Sequence, residues 1–174
     1  DPNSLVSASQ FFRAYKDSSA VAIPINLVAE NFAQVNPILE NMETGETEQS
    51  HEILDLLRRP HSLFSRSLFL ETISKHYLIA GESPVVALGN IDKPPVMLQP
   101  INPKNIQGSC DTSTGLPYEW KITGRALHGV YRTKPLDMGR VFSMGDDRAL
   151  KVIRSFSTED DSLLRGQSKL VSAA

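Results

Sequence analysis

The stretch Leu56-Leu57-Arg58-Arg59-Pro60-His61-Ser62, followed by an amphipathic run over 65–80 and by Gly81, decides the fold. It prescribes a helix, a break and a second helix. Arg58 and Arg59 put cations at the end of the first helix, where they complement the negative end of its dipole. Pro60 forbids continuation by removing a backbone donor and crowding the preceding turn. Ser65 or Ser67 caps the second helix; Leu70, Ile73, Tyr77 and Ala80 are its expected buried stripe, and Gly81 supplies a left-handed C-terminal cap. Two short apolar segments come next, 84–89 and 96–101, separated by Asn90-Ile91-Asp92-Lys93, which suits a hairpin. Pro94-Pro95 lacks two donors, so the second strand is expected to begin after them.

Working upstream, residues 4–16 place Leu5, Ala8, Phe12 and Tyr15 on one helical stripe with Ser4 as cap. Over 19–35 the positions Val21, Ile25, Val28, Phe32 and Val35 follow the helical period, with Asn26, Glu30 and Gln34 off it. Pro24 objects to an early start, because a proline inside a helix costs about 3 kcal/mol. The expectation is a helix starting near Ile23, the alternative a kink. Asn36-Pro37 ends it, residues 38–42 read as a short strand turning at Thr44-Gly45, and Ser50 caps a helix carrying Ile53, Leu54 and Leu57. Downstream, 111–117 is turn-rich. Tyr118, Trp120 and Ile122 alternate with Glu119, Lys121 and Thr123 as in a half-buried strand, and 140–144 with 149–156 flank Gly145-Asp146-Asp147-Arg148 as a hairpin. Helices first and mostly antiparallel strands afterwards make the class α+β, with N-terminal amphipathic helices packed on the sheet.

Composition narrows the function. The 174 residues are 40% apolar and 22% charged, in the globular range. A formal charge of -2 excludes a strongly basic nucleic-acid binder. The single cysteine, Cys110, excludes an internal disulfide and a Cys-based metal site. No apolar stretch approaches the roughly 20 residues of a membrane span. The start, Asp1-Pro2-Asn3-Ser4, reads as trimmed or engineered. At the other end Ser168 caps the first turn of a helix, so the chain is expected to be a piece of a longer one.

Candidate chemistry is thin. His51, His61, His76 and His128 include no pair at the i, i+4 spacing of a helical zinc site. They read as solvated or packed imidazoles. Cys110 has no activating base in its own loop. Gly45, Gly108 and Gly115 are isolated turn glycines rather than a phosphate-binding loop. Glu159-Asp160-Asp161 reads as a solvated acidic linker, because three consecutive acids in an extended loop do not face one point. Arg58 and Arg59 are helix-end arginines, with DNA or a neighbouring carboxylate as the other partners weighed. Phe11, Phe12 and Tyr15 are too many large side chains for a free terminus and are expected to pack on their own domain. No catalytic, cofactor or metal residue is assigned.

The order of these elements carries a resemblance. Ala20 through Leu27-Val28-Ala29-Glu30, then Asn36-Pro37-Ile38-Leu39-Glu40, then Leu56 to Pro60, then Glu71 through Leu78 to Gly81, then Leu98-Gln99-Pro100-Ile101-Asn102-Pro103, resembles the N-terminal part of HK97-type tailed-bacteriophage or prophage portal proteins. The last element, Gly166-Gln167-Ser168-Lys169-Leu170-Val171-Ser172-Ala173, is similar to the family's closing motif except that Lys169 replaces a proline. The chain departs again at His61-Ser62, where the family often has Asn-Pro, and at Glu82, where it often has Asn. The likeness runs from about Ser18 to Ala174.

That resemblance implies residues 1–165 as a wing-like α+β domain and 166–174 as the start of a helix leading to a stem and clip. It implies a non-enzymatic structural subunit of a homo-oligomeric ring, a dodecamer when full length, at one capsid vertex. Double-stranded DNA passes through such a ring without sequence specificity during packaging and ejection. The implied partners are other copies of the chain, the major capsid protein, terminase and head-completion or connector proteins, with no membrane. The implied location is the virion, and the host cytoplasm during assembly. The alternatives are a non-catalytic binding module using the strand edge near Pro94-Pro95 and, behind it, a small hydrolase using Asp160 or Asp161 with His128.

Overall fold

The computed structural model describes residues 8–89, 94–110, 117–123, 128–132, 141–143 and 148–154. Helices α1 (Ala8–Asp17) and α2 (Ser19–Ala33) come first. The two-stranded hairpin β1 (Leu39–Glu40) and β2 (Thr47–Glu48) follows, then α3 (Glu52–Arg58) and α4 (Arg66–Ala80). The chain continues as β3 (Glu82–Leu88), β4 (Met97–Pro100), a single 3-10 turn (Pro103–Asn105), β5 (Ile106–Cys110), β6 (Pro117–Thr123), β7 (His128–Arg132), β8 (Val141–Ser143) and β9 (Arg148–Arg154). The class is α+β, with the helices leading into an antiparallel sheet.

The deciding stretch folds for the reasons its residues supply. α3 stops at Arg58, and the fully buried Pro60 makes the break. The Pro60 carbonyl accepts from the Leu98 backbone N–H at 2.6 Å, so the break also covers part of the exposed side of edge strand β4. His61 is buried beside it, stacked on Phe64 with ring centroids 4.6 Å apart, and its Nδ1 accepts from the Leu63 N–H at 2.9 Å. Ser65 then caps α4, its Oγ accepting from the Leu68 N–H at 3.2 Å. At the far end Gly81 adopts φ 76° and returns its N–H to the Tyr77 carbonyl at 2.8 Å. A side chain there would be held in the left-handed region, so Gly81→Ala is expected to lose about 1–2 kcal/mol in a urea titration. An unchanged midpoint would mean the cap relaxes freely.

Gly81 also turns the chain straight from α4 into β3, whose first five residues, Glu82 to Val86, are all buried. Pro84 is tolerated at this position because β4 ends opposite Val85. The Pro84 carbonyl still accepts from the Ile101 N–H at 2.9 Å. Since N–H and C=O of one antiparallel residue point the same way, the missing donor falls at the end of the ladder.

The seven strands run in the order β4-β3-β9-β8-β7-β6-β5, with every pairing antiparallel. The outer two are consecutive in sequence and joined only by residues 101–105. A flat sheet would separate them by roughly 29 Å at ~4.8 Å per gap, whereas that connection reaches roughly 20 Å fully extended. The sheet must therefore curl. Its core agrees: Val86 of β3, Ile101, Ile106 of β5, and Trp120 and Ile122 of β6 form one buried cluster, although three strands separate β3 from β6 in the sheet order. Trp120 and Ile122 alternate with the exposed Lys121 and Thr123 as the sequence pattern requires. The hairpins expected around Asn90–Lys93 and around residues 145–148 are present as β3–β4 and β8–β9.

A second core lies among the helices. Phe12 of α1, Ile25 of α2, and Ile79 and Ala80 of α4 form it, with Phe11, Tyr15 and Val21 against it. The aromatic N-terminal segment thus packs on its own domain, as expected; the Tyr15 hydroxyl donates to Asn26 Oδ1 at 2.6 Å. The expected residues Ser4 and Leu5 lie outside the described residues.

Three local expectations are corrected. α2 begins at Ser19 rather than near Ile23, so Pro24 lies inside it and forfeits the bond to the Ala20 carbonyl. Both residues face solvent, where water satisfies that carbonyl. α3 is capped by His51, not Ser50: the His51 Nδ1 accepts from the Ile53 N–H at 3.1 Å. The buried positions of α4 are Phe69, His76, Ile79 and Ala80, with Leu70, Ile73 and Tyr77 only half-buried, because α4 is covered on two sides, by α1 and α2 and by β3.

Candidate assembly surface

α2 carries one charged residue, Glu30, in fifteen and is apolar on nearly all sides. Its inner face is Ile25, Ala29 and Ala33, spaced at i, i+4 and i+8 and packed against α4. Small residues allow the two helix backbones to approach closely. Of the five positions with the expected period, only Ile25 is buried. Val28, Phe32 and Val35 face outward with exposures of 51%, 43% and 51%, and Ile23 and Leu27 are more exposed still, at 66% and 60%. A helix hydrophobic all round ordinarily sits inside a structure; here half of one lies open.

Geometry makes this half a continuous arc. At about 100° per residue, Ile23 and Leu27 form one border, Val28 and Phe32 the other, and Pro24 and Asn31 lie between; Val35 follows just past the helix end, its N–H donating to the Phe32 carbonyl at 3.1 Å. Asn31 turns its amide back on the helix, Nδ2 donating to the Leu27 carbonyl at 2.7 Å, which lowers the polarity of the arc's centre. Ile38, at 74% exposure, follows where the chain leaves the helix. The sequence signal was present in α2's near absence of charge; the period alone could not say which stripe faces inward.

The other candidates occupy ordinary positions. His51 is an exposed cap, and His61 and His76 are buried. His76 lies under Phe12, ring centroids 5.9 Å apart, while Lys104 Nζ sits over the same Phe12 ring at 5.1 Å from its centroid. Burial, with Lys104 nearby adding to it, lowers the His76 pKa to about 4. Arg58 is engaged at home, pairing with Asp55 at 3.1 Å and donating to the Gln49 carbonyl at 3.3 Å, and Arg59 is the exposed C-cap of α3. Cys110 ends β5 across from Pro117, and His128 opens β7 opposite Thr123. Residues 159–161 and 166–174 lie outside the described residues, so Asp160 and Asp161 are not placed relative to His128. Among the described residues no three His, Cys, Asp or Glu side chains converge as metal ligands, and no helix is long and apolar enough to cross a membrane.

No protein-family model and no curated protein sequence matches the chain. Solved structures do. A chain in the virion of a native gene transfer agent particle superposes with a TM-score of 0.69 at 20% identity, over 95% of this chain and 39% of that one. A chain in the neck of the empty gene transfer agent particle, computed with C6 symmetry, gives 0.71 at 19% identity over 95% and 40%. One in the neck of the native particle, computed with C12 symmetry, gives 0.66 at 19% over 97% and 41%. The chain spans about two-fifths of the length of these solved chains. At such identity the likeness establishes the fold.

Proposed function

We infer that this chain is the wing region of a portal-type ring subunit in a phage or phage-like particle. The observation that carries the reading is a fold match over nearly the whole chain, at TM-scores of 0.66 to 0.71, with chains from particle necks and a virion. The ordered motifs from Ala20 to Pro103 support it independently, since they are a property of the sequence. In this reading residues 1–165 form a rigid wedge and 166–174 begin the helix toward a stem and clip. Copies of the chain tile a ring of about twelve at one capsid vertex, following the C12 symmetry of a matched neck. The role is mechanical: the ring frames a passage for double-stranded DNA and presents docking surfaces to the capsid protein, terminase and head-completion proteins. No residue is assigned a catalytic task.

The binding-module alternative draws less support. β4 is an edge strand, but its Leu98 N–H is already spent on the Pro60 carbonyl, which obstructs strand addition there.

Immunogold labelling of particles from the producing cell, with antibody raised to this chain, tests the reading. Label confined to a single vertex, at the head–tail junction, is the expected result. Label spread over all vertices, along the tail, or absent from particles contradicts it.

A further inference from the structure

Resting on that ring reading, we propose that the outer face of α2, with Ile23, Leu27, Val28 and Phe32, together with Val35 just past its end, is one half of the seam between neighbouring copies of this chain, and that it docks on a different surface of the next copy. The face needs a partner. These five large apolar side chains, with Ile38, leave on the order of 600 Å² of apolar surface in water, at the upper end of what monomers tolerate in one patch. That area is most of the ~800 Å² per partner that a stable interface requires.

The ring reading supplies the occupant, another copy, and the composition of the arc fits it. The arc is depleted of charge, as the fully buried centre of an interface is. Glu30 and the Tyr15–Asn26 hydrogen bond lie toward its margin, in the place of a polar rim. α2 already contacts its own domain through Ile25, Ala29 and Ala33 on α4, and among the described residues its outer arc is left exposed. Cyclic symmetry then restricts the geometry. A closed ring above a dimer is built from heterologous contacts, in which a patch on one subunit meets a different patch on the next. α2 is therefore expected to meet a surface other than α2.

The test uses the chain with its natural flanking sequence, purified as the assembled ring. A photo-crosslinking amino acid is placed at position 27, and at position 32 in a second protein, and the products are mapped by mass spectrometry. The expected product has twice the chain mass, with position 27 or 32 joined to a peptide outside α2. An internal link at single-chain mass shows that the chain's own further segment covers the arc, and an α2–α2 link shows a twofold contact; either overturns the proposal. Separately, Leu27→Glu with Phe32→Glu should reduce the assembled fraction at least about tenfold, since burying unpaired carboxylates at such a seam costs more than the ~1.4 kcal/mol that corresponds to a factor of ten. Its monomer should keep the wild-type melting curve, because both positions are exposed. Rings forming normally in this variant overturn the seam and leave the ring reading intact. A wild-type chain that forms no ring removes the ring reading itself.

Discussion

Trp120→Ala is expected to destabilise the protein by about 3–5 kcal/mol, the range for truncating a buried tryptophan. The ring is fully buried on β6 and belongs to the cluster with Val86, Ile101, Ile106 and Ile122. Those five come from the two ends of a sheet that must curl, so the indole fills the space created by curling and joins strands that share no ladder. Its removal costs the transfer free energy of the ring and leaves a cavity that the short 101–105 connection cannot collapse. Against a total stability of ordinarily 5–15 kcal/mol, such a loss brings the domain close to unfolding at room temperature. Urea titration followed by far-UV circular dichroism measures it, with Trp120→Phe as the milder companion that keeps much of the packing. A loss below 1 kcal/mol for the alanine variant would mean that β3 and β6 are not packed around one core.

Acid is expected to weaken the helical core through His76. The imidazole is buried beneath Phe12, and its pKa is lowered to about 4 from an ordinary 6.5. Desolvation is the first cause and the positive charge of Lys104 the second. Because the folded-state pKa of this base lies below the unfolded one, the unfolded chain binds the extra proton first as pH falls. The stability contribution is therefore fully present above about pH 6.5 and drains away between there and pH 4. The lowering corresponds to about 3 kcal/mol, at 1.36 kcal/mol per pKa unit. Carboxylates titrate over the lower part of the same range, so the informative quantity is a difference. His76→Phe should remove most of the loss in stability between pH 7 and pH 4.5, and equal pH slopes in wild type and variant would show that His76 is protonated without penalty in the folded chain.

Local chemistry made part of this fold legible. Ser65, Pro60 and Gly81 act on backbone groups within four residues of themselves, so α4 and its boundaries follow from the sequence alone. Trp120 and Ile122 likewise announce a strand with one inner face. His51 displaced Ser50 as the cap of α3 because both are polar, both precede the helix, and only the extended backbone at His51, φ -153°, decides between them. The curl of the sheet was not legible, since it depends on β9 pairing with β3 across more than half a hundred residues of chain.

α2 is the most instructive case. The period of Val21, Ile25, Val28, Phe32 and Val35 describes a genuine apolar stripe, yet α4 approaches the neighbouring stripe, where Ala29 and Ala33 leave room for it. Hydrophobic periodicity reports that a face is apolar and not what covers it. A helix apolar all round has two faces to bury, and the described residues cover only one of them.

Negative-stain electron microscopy of the chain with its natural flanking sequence, followed by class averaging of end-on views, tests whether copies close into a ring. Closed rings of about twelve subunits, as in the C12 neck, around a hole wide enough for a DNA duplex are the expected result. Folded, intact protein that remains as discrete monomers or dimers at every concentration imaged would contradict it.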